Sequence, residues 1–134
     1  KDALSLANEN LVMNQIKNLE IKSFDWNKDI LNENFDAIIA NPPYLSEEEW
    51  DLAEPEVKLF DPKIALIAKD KEIADIKKII KNSENNLNNN GLLALEIEKK
   101  KKKVLSDIMS VSFYKIKIVK DYCRRNRFIM ARKK

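Results

Sequence analysis

Histidine is missing from this 134-residue sequence, and glycine and cysteine occur once each. Without histidine, neither a histidine-based triad nor a histidine zinc site can be built within the chain. No metal site is expected. The lone cysteine, Cys123, excludes an internal disulfide framework and fits a reducing compartment. No stretch resembles a signal peptide or a long apolar span, so the sequence reads as a soluble cytoplasmic protein. The shortage of glycine says most. A nucleotide-binding α/β domain normally carries a glycine-rich first strand-to-helix turn, because only glycine lets the backbone come close to the ligand. Here Gly91 stands alone, and the sequence opens on Lys1 directly into a helical pattern. The chain therefore reads as a piece of a larger domain.

What is present is globular. Hydrophobic residues make up 44% of the sequence, enough for one domain with a core. The net charge of +3 is the small difference between 25 basic and 22 acidic residues, and it does not establish nucleic-acid binding. No internal repeat or domain boundary is visible.

The stretch Phe35 to Tyr44 organises the rest. An apolar run of strand character, Ala37 to Ala40, meets Asn41-Pro42-Pro43-Tyr44. Proline has no N–H and a fixed φ, so neither proline can continue a ladder, and each pushes its predecessor into extended backbone. The strand must stop near Asn41 and release a stiff loop from its carboxyl end, where open α/β sheets bind ligands. An amide side chain, proline carbonyls and one aromatic ring then stand together. That set suits a planar group carrying an NH2: Asn41 Oδ1 and a proline carbonyl accept its two hydrogens while Tyr44 covers a face. A plain turn with Tyr44 in the core is the competing reading.

In chain order, residues 1–15 read as a helix with Leu4, Ala7, Leu11 and Ile16 on one stripe. Leu19 to Phe24 alternates as a short strand, closed by Asp25-Trp26. Trp26 either caps the core or lies against a flat ligand ring. Ser46 and Glu49 have the spacing of a capping box for a short helix that ends before Pro55. The proline-punctuated segment from Glu54 to Pro62 reads as an ordered loop with solvated acids. A helix is predicted over Lys71 to Leu87, facing the core with Ile73, Ile76, Ile80 and Leu87, and Gly91 suits the left-handed position after it. Leu92 to Ile97 reads as a buried parallel strand. The five lysines Lys99 to Lys103 read first as a solvated helix face, and second as a phosphate-contacting patch. Phe113 to Val119 and Phe128 to Ala131 complete a mostly parallel sheet with an antiparallel terminal pair.

These residues resemble the carboxyl-terminal half of the PrmC/HemK family of protein-(glutamine-N5) methyltransferases, which modify the glutamine of the Gly-Gly-Gln motif in peptide-chain release factors. The likeness runs along the whole chain. It is carried by Asp2-Ala3-Leu4 with Ala7 to Asn10, by Asp25-Trp26, and by Phe35 to Tyr44. It continues through Glu47-Glu48, the Pro55-to-Pro62 loop with Ala65-Leu66, Gly91 to Glu96, and Lys120-Asp121-Tyr122 with Arg127. The resemblance implies a Rossmann-like class I methyltransferase sheet, partial, with an antiparallel last strand. It makes residues 1–134 the carboxyl-terminal part of the catalytic domain.

The resemblance also implies S-adenosyl-L-methionine as cofactor, release factors as protein substrate, and a role in translation termination. Neither membrane nor direct nucleic-acid contact is expected. Asn41, Pro42, Pro43 and Tyr44 would hold the glutamine amide. Asn41 would also lie beside the cofactor methyl, and Trp26 would line its adenine end. The family's glycine-rich loop, its ribose-gripping acid and its amino-terminal helical domain fall before Lys1. Where the family has glycine and glutamine after the strand at residues 92–97, this sequence has Glu98 and the lysines. Two other readings stay open: an adenine- or guanine-amine methyltransferase acting on nucleic acid, and a non-catalytic remnant that binds a partner.

Overall fold

The computed structural model describes residues 2–68 and 73–134. The apolar run before Asn41 forms β1 (Phe35–Ala40), which lies parallel to β2 (Leu87–Glu96), with Ala37 opposite Leu92 and Ala40 opposite Leu95. β3 (Phe113–Lys120) and β4 (Asn126–Lys133) form a hairpin, and β4 rather than β3 pairs with β2, antiparallel. The sheet order is β1-β2-β4-β3. The expected mixed sheet with an antiparallel last strand is therefore present.

Alternation along the strands puts Leu93, Leu95, Ile129 and Ala131 on one face, each 0–1% exposed. The helix α5 (Ala74–Asn86) packs into the same core with Ile76, Ile79 and Ile80, and α6 (Lys102–Met109) with Leu105 and Met109. The i, i+3, i+4 spacing of the three isoleucines makes one apolar stripe. Each such buried side chain contributes about 1.5–3 kcal/mol relative to exposure. α1 (Asp2–Met13) follows its sequence pattern, since Leu4, Ala7 and Leu11 are half-buried and Leu6, Val12 and Met13 are exposed. Ile16, 39% exposed, lies past its end.

Four local expectations fail. Leu19 to Phe24 is not a strand. Among the described residues it pairs with no strand. Lys22 instead pairs with Glu20 and Glu33, both at 3.1 Å. The Pro55-to-Pro62 segment is not a loop but holds α3 (Pro55–Phe60), followed by α4 (Lys63–Leu66). A proline at the first helical position loses no helical bond and presets φ, so Pro55 starts a helix rather than preventing one.

The left-handed residue after α5 is Asn90, at φ 62°, and not Gly91. Asn88 to Asn90 bulge out of β2, and Gly91 serves close approach instead. A Cβ there would stand 2.8 Å from the Asn88 carbonyl oxygen. The lysine run is not wholly solvated: it forms a 3-10 turn over Lys99–Lys101 leading into α6, and Lys101 is buried. Residues 71 and 72, the expected first turn of α5, lie outside the described residues. No helix among the described residues is long and apolar enough to cross a membrane.

Candidate active site

β1 delivers its loop at the carboxyl edge of the parallel pair. Ala40 is still in register with Leu95, and the next four residues leave the sheet. Pro42 is buried, Pro43 and Tyr44 are half-buried, and Asn41 is exposed. The Tyr44 and Leu45 N–H groups both donate to the Leu66 carbonyl, at 3.1 and 2.9 Å, and Leu45 bridges Ile67. The loop is thus fastened at both ends. Between those ends, no hydrogen bond among the described residues engages the Asn41 side chain or the Pro42 and Pro43 carbonyls. One amide and two carbonyls are presented on backbone that the proline rings stiffen.

The predicted capping box follows directly. Ser46 Oγ accepts from Glu49 N–H and Glu49 Oε2 from Ser46 N–H, each at 3.1 Å, which starts α2 (Glu47–Asp51). The Ser46 N–H holds the Glu49 carboxyl below the usual carboxylate range, helped by Lys100 and opposed by partial desolvation. Trp50 on α2 is buried.

Trp26 and Asn41 line one cavity of about 380 Å³, with Pro42 beside them. Phe24, Leu31, Ile38 and Ile39 make most of its wall apolar, and Asn82 and Ser83 of α5 add polar groups. A tight turn sets the tryptophan: Lys28 and Asp29 N–H both donate to the Asp25 carbonyl, at 2.9 and 2.8 Å. The indole Nε1–H then donates to Asp75 Oδ1 at 3.1 Å, and the Asn27 amide reaches the same oxygen at 3.4 Å. Pro43 lines a neighbouring cavity of about 270 Å³ with Trp26 and Asp75. Tyr44 lines neither. The structure brings Trp26, Asn41, Pro42 and Pro43 together and leaves Tyr44 to one side.

Sequence reasoning missed Asp75, Asn82, Ser83 and Lys101. The first three sit on a helix whose apolar stripe drew the attention, and Lys101 was hidden in a run of identical residues. Arg127, at the start of β4, pairs with Asp121 at 3.3 Å and Glu96 at 3.4 Å. The Asp121 hydrogen bond, first, raises the pKa of its guanidinium above the ordinary arginine value.

The methyltransferase small domain family matches residues 1–56. The release factor glutamine methyltransferase of Escherichia coli is 41% identical over 95 residues, covering 71% of this chain and 34% of that protein. Its namesake in Fusobacterium nucleatum is 36% identical over 98% of this chain and 38% of that protein. That of Buchnera aphidicola is 35% identical over 99% of this chain and 48% of that protein. Among solved structures, the N-methyltransferase NodS of Bradyrhizobium japonicum is similar at 12% identity, over 82% of this chain and 56% of that one, with a TM-score of 0.42. This last likeness is too loose to locate a site. The chain spans at most about half the length of these curated relatives. Along nearly all of its own length, this chain is homologous to part of the release factor glutamine methyltransferases.

Proposed function

We propose that this chain is the acceptor-holding part of an S-adenosyl-L-methionine-dependent methyltransferase whose substrate is the side-chain amide of the glutamine in the Gly-Gly-Gln motif of release factors. The observation that carries the reading is the set of unengaged acceptors at Asn41, Pro42 and Pro43, on a loop fixed at both ends. An amide nitrogen is a weak nucleophile because its lone pair is delocalised into the carbonyl. Two acceptors on its NH2 restrain the nitrogen and favour positive charge building there, so no strong base is needed. The absence of histidine is compatible with that chemistry.

The residues present fit one end of the cofactor. A flat indole, four apolar side chains and a few polar groups around about 380 Å³ suit an adenine ring. Among the described residues no carboxylate lines that cavity. When bound, S-adenosylmethionine supplies an electrophilic methyl on a sulfonium. Trp26 would cover the ring, and Asn41 would stand between cofactor and acceptor.

The test is to incubate a release factor and S-adenosylmethionine with this chain, and with a longer polypeptide containing it, and to map methyl groups by mass spectrometry. The reading expects one added methyl on the Gly-Gly-Gln glutamine. Methylation of DNA or RNA adenine or guanine instead, or no transfer by either polypeptide, would overturn it.

A further inference from the structure

The lysine run at the end of β2 looks like surface, yet one member is inside. Lys101 is 5% exposed, while Lys99, Lys102 and Lys103 face solvent. The Lys101 ammonium donates to the Tyr44 carbonyl at 3.0 Å and lies 3.4 Å from Glu98 Oε2. A buried ammonium persists only when it is paired and hydrogen-bonded, and a charge-assisted bond of this kind is stronger than one between neutral groups.

We propose that Lys101 is a positioning residue for the Asn41–Tyr44 loop, fixing the Tyr44 peptide and through it the acceptors on Pro42 and Pro43. The inference rests on the functional reading above and adds to it the residue that sets the loop. Both backbone polar groups of Tyr44 are engaged, its N–H by Leu66 and its C=O by Lys101. That pins φ and ψ at the one residue joining the two prolines to the rest of the loop. The tie is reinforced outside: Lys100 bridges Glu98 and Glu49, each at 3.1 Å, and Glu49 caps Ser46. The end of β2, the loop and the start of α2 are thereby one connected unit. Two lysines of five do this, and the 3-10 turn aims them, because it rotates Lys101 inward while its neighbours stay out.

The experiment compares wild type with Lys101→Met, which keeps the side-chain length and removes the donor. Amide hydrogen exchange at Tyr44 and Leu45 should quicken by about tenfold or more while Leu93 and Ile129 hold their protection. In a polypeptide that transfers methyl groups, kcat should fall by about tenfold with cofactor affinity within about twofold. Unchanged protection at Tyr44 and Leu45 overturns the proposal whatever the activity. Loosened loop amides in polypeptides that never methylate glutamine would uphold the positioning role and sink the proposed reaction instead. Should Lys101→Met not fold, the wild type still decides. Nitrogen-15 spectra should show slowly exchanging Lys101 ammonium protons coupled to the Tyr44 carbonyl, and their absence refutes the contact.

Discussion

The Trp26 indole and the Asp75 carboxylate are joined by a 3.1 Å hydrogen bond that spans 49 residues of sequence. It fastens the turn before β1 to the first turn of α5, and it fixes one wall of the cavity that Asn41 also lines. Trp26→Phe keeps most of the ring's area and removes the donor, leaving Asp75 with the longer Asn27 contact. A hydrogen bond to a charged group is worth about 1.5–3 kcal/mol, so a loss of about 2 kcal/mol is expected in urea unfolding. Weaker S-adenosylmethionine binding by calorimetry should accompany it. Unchanged values for both would show that the indole is only packing.

The core prediction concerns Leu93, which is fully buried at the centre of the sheet between Ile38 of β1 and Ala131 of β4. Leu93→Ala should cost about 2–5 kcal/mol through lost burial and the cavity left behind. Denaturant unfolding followed by circular dichroism measures it. An effect below 1 kcal/mol, far under that range, would contradict the described packing.

Gly91 makes a sharper backbone test. Its φ is not positive, so the reason for glycine is room, the Asn88 carbonyl lying where a Cβ would go. Gly91→Ala should destabilise by about 1–3 kcal/mol, as overpacking does. The same denaturant unfolding that reads Leu93→Ala reads this, and a stabilised Gly91→Ala protein would refute the bulge at Asn88–Asn90.

The α2 capping box gives a pH dependence. Glu49 titrates below its ordinary 4.5 in the folded chain, chiefly because Ser46 N–H bonds the ionised form. A depressed folded value means that the stabilisation is complete above 4.5 and is lost as pH falls through the folded value. Wild type should therefore lose more stability than Glu49→Gln between pH 6 and pH 3. Parallel losses would remove Glu49 from the account.

The parts of this chain that were legible in sequence are those fixed by local chemistry. Asn-Pro-Pro-Tyr after an apolar run has to end a strand. Ser46 and Glu49 have to cap a helix, and three isoleucines at helical spacing have to face a core. What was not legible depends on neighbours. Leu19 to Phe24 has the alternation of a strand and pairs with no strand among the described residues. Pro55 breaks a helix or begins one according to where the chain turns, and here it begins α3. Asn90 takes the left-handed backbone, while the Asn88 carbonyl and the Leu87 side chain leave no room for a side chain at position 91. Among five identical lysines, only the fold says that Lys101 is the buried one.

The most direct measurement is the rate of methyl transfer to release-factor glutamine by Asn41→Ala, in whichever polypeptide containing this chain transfers to the wild-type level. Asn41 is exposed and bonds nothing among the described residues, so its removal should leave the unfolding midpoint in place. The rate should fall by about a hundredfold or more, the scale of losing one oriented polar contact to the reacting group. A folded Asn41→Ala protein with the wild-type rate would contradict the account.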